Sequence, residues 1–177
     1  MLLLVVLLFF LLVAITITFV VISEFIAFVR TRVPFVPTSA HDIEFIVKKI
    51  GINSQDVFYD LGSGNGKVVF MVEKMSGAKV KGFELGWWTI LYAKLKAKIK
   101  SSKAEFANEN FFNQDWSKAN IIYCYLYPPL MARIEAKFKK ELKPGSMAIV
   151  RDFPFPNMPH SEKYFLPKKH EIYVYKL

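Results

Sequence analysis

The stretch from Val57 to Gly66, with the sequence VFYDLGSGNG, decides the fold of this chain. Three apolar residues and an aspartate predict a short buried strand, and glycine then occupies every second position. Glycine tolerates positive φ and lets the backbone approach a ligand closely, so the pattern indicates a tight turn. The residues from Lys67 to Met75 have the spacing of a helix. The sequence therefore predicts a strand, a glycine turn and a helix in succession.

Strands and helices alternate on both sides of this turn. Ser39 is a good N-cap for a predicted helix over residues 40–50. This alternation, followed by an antiparallel finish, indicates an α/β fold with a doubly wound, mostly parallel sheet and a ligand site at the carboxyl ends of its strands. The remaining predicted strands are 79–84, 105–107, 120–126, 146–151, 163–166 and 171–176, and the remaining helices are 87–100 and 129–142.

The first 29 residues hold most of the apolar excess of the chain. Residues 2–23 carry no charged side chain, and about 22 residues at 1.5 Å each are enough to span a hydrocarbon core of ~30 Å. No basic residue precedes this run and no A-x-A pattern follows it, which argues against a cleaved signal peptide. We therefore expect one transmembrane helix that contacts the lipid bilayer through residues 2–23. A buried apolar helix is the alternative.

The charges that follow the span predict its orientation. Arg30 and Arg32 place the downstream domain on the cytoplasmic or mitochondrial matrix side of a single-pass protein, with the N-terminus outside. We expect an anchor over residues 1–29, a linker or docking strip over 30–39 and one domain over 40–177. About eight linker residues reach no more than about 26 Å, so the domain is held against the membrane and its substrate is expected there.

A second acidic residue strengthens the assignment of the glycine turn to a cofactor site. Glu84 ends the next predicted strand, 24 residues after Asp60, where a carboxylate can accept hydrogen bonds from both ribose hydroxyls of an adenosine cofactor. The spacing G-x-G-x-G differs from the dinucleotide fingerprint, and Asp60 would repel a diphosphate while suiting the cationic end of S-adenosylmethionine. The sequence favours that cofactor over NAD, which stays as the alternative.

These residues resemble the class I, seven-β-strand methyltransferases across nearly all of residues 40–177. The motif runs from Asp60 to Gly66, and Glu84 and Asn110 follow at the expected places. The resemblance implies a Rossmann-like methyltransferase fold that binds S-adenosylmethionine. It implies that the glycine turn cradles the methionine part, that Glu84 binds the ribose and that Asn110 lies by the adenine. The implied cofactor residues are Asp60, Gly62, Ser63, Gly64, Gly66, Glu84 and Asn110.

A narrower resemblance concerns the substrate. The apolar span, the strip VPFVPT at residues 33–38 and the motif together resemble the small membrane-anchored lysine N-methyltransferases that modify the ATP synthase c-subunit and the adenine nucleotide translocase, with their prokaryotic relatives. This implies methyl transfer to lysines of a membrane protein. We expect Pro34, Phe35, Pro37 and Thr38 to contact that substrate. A small-molecule or lipid methyltransferase and an inactive anchored binding module are the alternatives.

The segment YLYPP at residues 125–129 follows the fourth strand, where amine-directed methyltransferases often carry Asp/Asn-Pro-Pro-Tyr/Phe. Tyr127 stands at the first position of that pattern, which argues against a base-amino DNA methyltransferase. The hydroxyl of Tyr127 and the backbone carbonyls beside Pro128 could still orient a lysine amine, so we predict these two residues on the acceptor side. The alternative is that the prolines only begin the next helix.

The charge balance bounds the partners. Lysine and arginine number 24 against 15 aspartates and glutamates, a net charge of +9 that suits nucleic acid or anionic lipid. The lysine cluster over residues 94–103 contains no arginine and a tethered domain reaches nucleic acid poorly, so no nucleic-acid partner is expected. The three histidines lack metal-ligand spacing and Cys124 is the only cysteine, so we expect no metal site.

Overall fold

The computed structural model describes residues 1–31 and 36–177, without the side chains of Glu24 and residues 26–31. The predictions for Pro34 and Phe35 lie outside the described residues. The helices within them are α1 (Leu2–Thr31), α2 (Ala40–Ile50), α3 (Lys67–Ser76), α4 (Trp87–Ile99) and α5 (Pro128–Glu141). The strands are β1 (Val57–Leu61), β2 (Lys79–Phe83), β3 (Glu105–Ala107), β4 (Ile121–Cys124), β5 (Met147–Arg151), β6 (Glu162–Phe165) and β7 (Glu171–Lys176).

The seven strands form one mixed sheet in the order β3-β2-β1-β4-β5-β7-β6. The first five of these are parallel to one another, and β7 pairs antiparallel with both β5 and β6. The strand order reverses direction between β1 and β4, which is the switch point where ligands of doubly wound sheets bind. The predicted fold class is confirmed. Two short 3-10 turns, Phe111–Asn113 and Pro167–Lys169, were not predicted.

Successive side chains along the strands point to opposite faces of the sheet and form two separate hydrophobic cores, one on each face. On β1, Phe58 packs with α2, α3 and α4, while Tyr59 and Leu61 pack on the other face with α5. On β4, Ile121 and Ile122 divide in the same way. This period of two is what a sheet buried on both faces requires. The helices thus cover the two faces of the sheet, while the carboxyl ends of β1 and β4 stay open between them.

Helix α1 lies mostly apart from this sheet. Its stretch Leu2–Ser23 has a mean hydropathy of 3.2 over an 18-residue window, none of which is buried within the chain, and its 22 residues are long enough to cross a membrane. The contact with the rest of the chain is made near the end of this stretch, where the ring of Phe19 meets Trp88 of α4 edge-on at 6.1 Å between centroids. Helix α4 therefore connects the apolar helix to the sheet.

A buried ion pair fixes α2 over the end of β5. The Arg151 Nη2 atom lies 2.8 Å from Asp42 Oδ2, and the two side chains are 2% and 5% exposed. The guanidinium also lies over the ring of Tyr125, 4.8 Å from its centroid. No described residue hydrogen-bonds to Nε or Nη1 of Arg151. A second carboxylate, Asp152 Oδ2, lies 3.8 Å from Arg151 Nε, too far for a hydrogen bond. Removing the Asp42 carboxylate therefore leaves the buried guanidinium without a hydrogen-bonded carboxylate, which is far more costly than losing a surface pair.

Replacing Asp42 with alanine is therefore expected to lower the free energy of unfolding by about 3–5 kcal/mol. The matched control is Glu44→Ala, two residues along the same helix, whose partner Lys48 is exposed to solvent. That control is expected to change stability little. Denaturant unfolding of the full chain in detergent, followed by tryptophan fluorescence, measures both variants. If the two substitutions lowered the free energy of unfolding equally, the buried Asp42–Arg151 pair would not be important for stability.

Candidate active site

A cavity of about 790 Å³ opens at the carboxyl ends of β1, β2 and β4, at the switch point of the sheet. Its wall combines the glycine turn, the end of β2, the segment before the first 3-10 turn and the residues that follow β4. From the predicted set it includes Asp60, Gly62, Ser63, Gly64, Glu84, Asn110, Pro37 and Thr38. Val20 of α1 and Trp88 and Tyr92 of α4 also line it.

The glycine turn is tied directly to β2. The backbone N–H groups of Gly62 and Ser63 both donate to the carbonyl oxygen of Phe83, at 2.9 Å each. Gly62 has φ +84°, and a Cβ there would lie 2.8 Å from Leu126 Cδ2. Both the backbone angle and the space therefore demand glycine. Gly66 is not among the described wall residues, but it is the N-cap residue of α3 and so marks where the turn ends.

The Glu84 carboxylate joins three backbone groups. Its Oε2 accepts from the Gly64 N–H at 2.9 Å, and its Oε1 accepts from the N–H groups of Leu85 and Gly86 at 2.8 and 2.9 Å. One side chain thus connects the glycine turn to the start of α4. A carboxylate offers about four acceptor positions, so a ribose diol that donates two hydrogen bonds would replace at least one of these N–H donors.

Asp60 is a buried carboxyl group in the cavity wall whose pKa is strongly raised. It is 2% exposed, and none of the described residues donates a hydrogen bond to its carboxyl group. Burial, and next the charge of Glu84, raises its pKa to about 8. A carboxyl in this state gains by receiving a cation, because the opposite charge restores the stabilisation that water no longer gives. This side of the cavity therefore suits an ammonium or sulfonium group.

Two further predicted residues complete the part of the wall suited to a cofactor. Asn110 caps the first 3-10 turn, where its Oδ1 accepts from the Phe112 N–H at 3.0 Å, and so positions Phe111 and Phe112 in the wall. The Oγ atom of Ser63 is buried and hydrogen-bonds to no described residue. The wall thus contains a buried carboxyl group at Asp60, a carboxylate at Glu84 and the aromatic rings of Phe111 and Phe112 next to Asn110, which are groups that could hold the cation, the ribose diol and the adenine of S-adenosylmethionine.

The described part of the docking strip closes one side of the cavity. Thr38 is 5% exposed, and its Oγ1 lies 3.1 Å from the hydroxyl of Tyr123. The carbonyl oxygen of Thr38 accepts from Lys67 Nζ at 2.7 Å, at the start of α3. Val36 and Pro37 are exposed and lie on the wall beside it. Lys67, the first residue of α3 after the glycine turn, thus links the turn to the strip.

The residues predicted for the acceptor side lie elsewhere. Tyr127 caps α5, is 46% exposed and, like Pro128, does not belong to the described cavity wall. Tyr125 lines the cavity instead, between the guanidinium of Arg151 and the stacked ring of Phe153. Sequence reasoning missed Tyr125, although the two-residue alternation from Ile121 along β4 would have placed it on the same side as Tyr123.

Comparison with known proteins identifies relatives of this arrangement. The family model of the ANTKMT methyltransferase domain matches residues 60–162. A protein-lysine N-methyltransferase of Saccharolobus islandicus is 27% identical over 125 residues, which are 69% of this chain and 78% of the relative. The adenine nucleotide translocase lysine N-methyltransferase of Mus musculus is 26% identical over 132 residues, 72% of this chain and 56% of that longer protein.

A solved structure shows the same fold with a cofactor product in place. The RNA methyltransferase of Salinibacter ruber, crystallised with S-adenosyl-L-homocysteine, superposes with a TM-score of 0.76 at 25% identity. The match covers 80% of this chain and 93% of that protein. This chain therefore shares its fold with an enzyme that was crystallised with this cofactor product.

The Thr38–Tyr123 contact gives a prediction about the strip. Thr38→Val and Tyr123→Phe each leave one hydroxyl buried without its partner, which is expected to cost about 1–3 kcal/mol of unfolding free energy. The double variant removes both hydroxyls, so its loss is expected to fall below the sum of the single losses by about 1 kcal/mol. Tyr92→Phe, an exposed hydroxyl on the same cavity wall, is the control. Additive losses in denaturant unfolding would show that the two hydroxyls do not interact.

Proposed function

The chain belongs to the ANTKMT methyltransferase domain family, whose model matches more than half of its residues, and we propose that it methylates lysine side chains of a membrane protein. It is an S-adenosylmethionine-dependent methyltransferase. The observation that carries the proposal is the cavity itself, because Asp60 and Glu84 share it with Val20 of the apolar helix. The two lysine methyltransferases among the relatives support lysine as the acceptor.

We assign the cofactor contacts as follows. Glu84 accepts the ribose hydroxyls, Asp60 faces the cationic methionine end, and Asn110 positions the wall beside the adenine. The backbone of Gly62, Ser63 and Gly64 lies against the methionine part, and Gly66 ends the turn so that α3 can begin. These assignments rest on the geometry of the wall, in which the acidic groups lie at the ends of adjacent strands β1 and β2.

When bound, S-adenosylmethionine supplies a sulfonium-activated methyl group, which passes to the acceptor nitrogen while S-adenosylhomocysteine and one proton are released. The chain's own task is to align the amine and exclude water. A lysine has a solution pKa near ~10.4, so it must lose its proton before it can react, and a desolvated wall favours the neutral amine. Burial, and after it Asp152, raises the pKa of Tyr125, which keeps that phenol neutral and able to orient the amine.

The acceptor is proposed to approach from the membrane surface. In this proposal α1 crosses the bilayer through residues 2–23, residues 30–39 connect it to the domain over 40–177, and Arg30 and Arg32 keep that domain on the cytoplasmic or matrix side. Val36, Pro37 and Thr38 then lie between the anchor and the cavity, where a substrate segment would pass. Tyr127 and Pro128, exposed at the start of α5, stay a prediction for the outer part of that path.

The direct test offers several acceptors to one enzyme preparation. The full chain is reconstituted in vesicles and supplied with methyl-labelled S-adenosylmethionine. Four acceptor preparations are then tested separately: membranes washed free of peripheral proteins, lipid extract, RNA and soluble protein. We expect label on lysine residues of membrane proteins, located by mass spectrometry. Label in lipid extract would favour the lipid methyltransferase, and label in RNA would contradict the lysine assignment. Cofactor binding without transfer to any acceptor would favour an anchored binding module.

Substitution of Glu84 tests the ribose assignment. Glu84→Ala removes the diol acceptor and frees three backbone donors, so S-adenosylmethionine affinity is expected to fall by about tenfold to a hundredfold. Glu105→Ala is the matched control, since this glutamate lies on β3 with its side chain 73% exposed. Calorimetric titration of the full chain in detergent measures both. An unchanged dissociation constant for Glu84→Ala would refute the assignment.

Asp60 gives a prediction about pH. Because its pKa is about 8 in the ligand-free chain, Asp60 is mostly protonated at pH 6.5, and a cation bound beside it favours the carboxylate. Binding is therefore expected to release close to one proton at pH 6.5, and affinity should rise as the pH approaches 8. Calorimetry in buffers of different ionisation enthalpy counts this proton. The Asp60→Asn variant should bind S-adenosylmethionine more weakly and release no proton. Equal proton release by the variant and the unchanged chain would contradict the assignment of this proton to Asp60.

A further inference from the structure

Helix α4 is apolar on two opposite sides. At 100° per residue, its buried residues Ile90, Ala93 and Ala97 form one face against the sheet. The opposite side, which we call the outer face, consists of Leu91, Tyr92, Leu95 and Ile99, which are 41%, 54%, 56% and 75% exposed. Four large apolar side chains in one exposed sector form a patch that a water-facing helix seldom carries.

Lysines border the outer face along both of its edges. By the same helical spacing, Lys94 and Lys98 follow one edge and Lys96 and Lys100 the other, and α4 contains no acidic residue. Long lysine stems can extend sideways from an apolar surface and place their ammonium groups at the level of lipid phosphates. An apolar sector between two rows of cations is the pattern of a helix that lies in a membrane interface.

The contact with α1 fixes the depth of this helix. Phe19, whose ring meets Trp88, lies in the last turn of the apolar run that ends at Ser23, about 6 Å before its end along the axis. Trp88 therefore lies at the level where that run leaves the hydrocarbon, and Trp87 packs edge-on against it at 4.5 Å between centroids. Tryptophan is enriched at this level in membrane proteins.

From these observations we infer that α4 is an interfacial membrane helix that inserts its outer face into one leaflet and binds anionic headgroups through its two lysine rows. The inference rests on the proposed crossing of the bilayer by α1. Since Trp88 and Tyr92 of the same helix line the cavity, this attachment turns the cavity mouth toward the headgroup layer. The acceptor lysine then has to lie at headgroup depth, within reach of the membrane surface and not far out in solution.

A second copy of the chain is a poorer occupant of the outer face. A two-fold contact through this sector would bring Lys94, Lys96, Lys98 and Lys100 of one copy against the same lysines of the other, and no carboxylate of α4 could compensate them. Anionic lipid supplies the charge that such a contact lacks. Charge complementarity and continuity with α1 thus select the bilayer.

Spin labels measure the proposed depth directly. Single cysteines replace Leu95 or Ile99 in the full chain, on a Cys124→Ala background that removes the one native thiol, so that only the introduced cysteine is labelled. Phe165→Cys is the matched control, since Phe165 is 74% exposed on β6, the strand at the opposite edge of the sheet from β3, and Leu11→Cys reports on the span. Retained S-adenosylmethionine binding shows that each labelled variant is folded. The vesicles contain phosphatidylcholine alone or with one quarter phosphatidylglycerol.

We expect the labels at positions 95 and 99 to be accessible to oxygen and shielded from a water-soluble nickel complex, and the label at 165 to show the reverse. Shielding should be weaker in pure phosphatidylcholine, and Lys94→Glu with Lys98→Glu should remove that lipid dependence. A lipid-exposed label at position 11 with water-exposed labels at 95 and 99 would overturn this inference alone. A water-exposed label at 11 would overturn the anchor as well. Spin coupling between copies at 95 and 99 would assign the face to a dimer.

Discussion

The cavity depends on the hydrogen bonds that the Glu84 carboxylate accepts from three backbone N–H groups. With these donors, from Gly64, Leu85 and Gly86, the carboxylate holds the glycine turn after β1 against the first residues of α4. Together with the bonds from Gly62 and Ser63 to the Phe83 carbonyl, it positions the cavity floor relative to the helix that contacts α1. A ligand hydroxyl that donates to this carboxylate displaces a backbone N–H of the glycine turn or of the start of α4, so the cavity is coupled to the helix that contacts α1.

Asp60 adds an electrostatic constraint to this geometry. A carboxyl that is almost fully buried beside Glu84, without a hydrogen-bond donor among the described residues, is kept protonated at neutral pH by desolvation and by its neighbour's charge. The ligand-free cavity is thus incomplete without a cation, whereas the Asp42–Arg151 pair shows how the same sheet edge satisfies a buried charge internally. The contrast supports the proposal that Asp60 binds a cation, whereas Asp42 and Arg151 stabilise the fold.

The motif at residues 57–66 and the alternation of strands and helices around it predicted the doubly wound sheet, the ligand site at the carboxyl ends of its strands and the acidic residues Asp60 and Glu84, because local turn chemistry and the two periodicities act over short distances. The Thr38–Tyr123 contact joins residues 85 positions apart, so no local pattern could indicate it. Tyr125 was not predicted, because only the motif at Tyr127 and Pro128 was considered at the end of β4 and strand alternation was not applied there. The apolar outer face of α4 was not predicted, since apolar residues on two opposite sides of a helix cancel in its hydrophobic periodicity.

A crystal structure of the full chain with S-adenosylhomocysteine tests the proposed cofactor site most sharply. We expect the ribose hydroxyls within hydrogen-bond distance of Glu84, at least one of its three backbone donors displaced, and the amino group of the ligand beside Asp60. A ligand bound away from the carboxyl ends of β1 and β2, or a Glu84 carboxylate that keeps all three donors and touches no hydroxyl, would contradict this assignment.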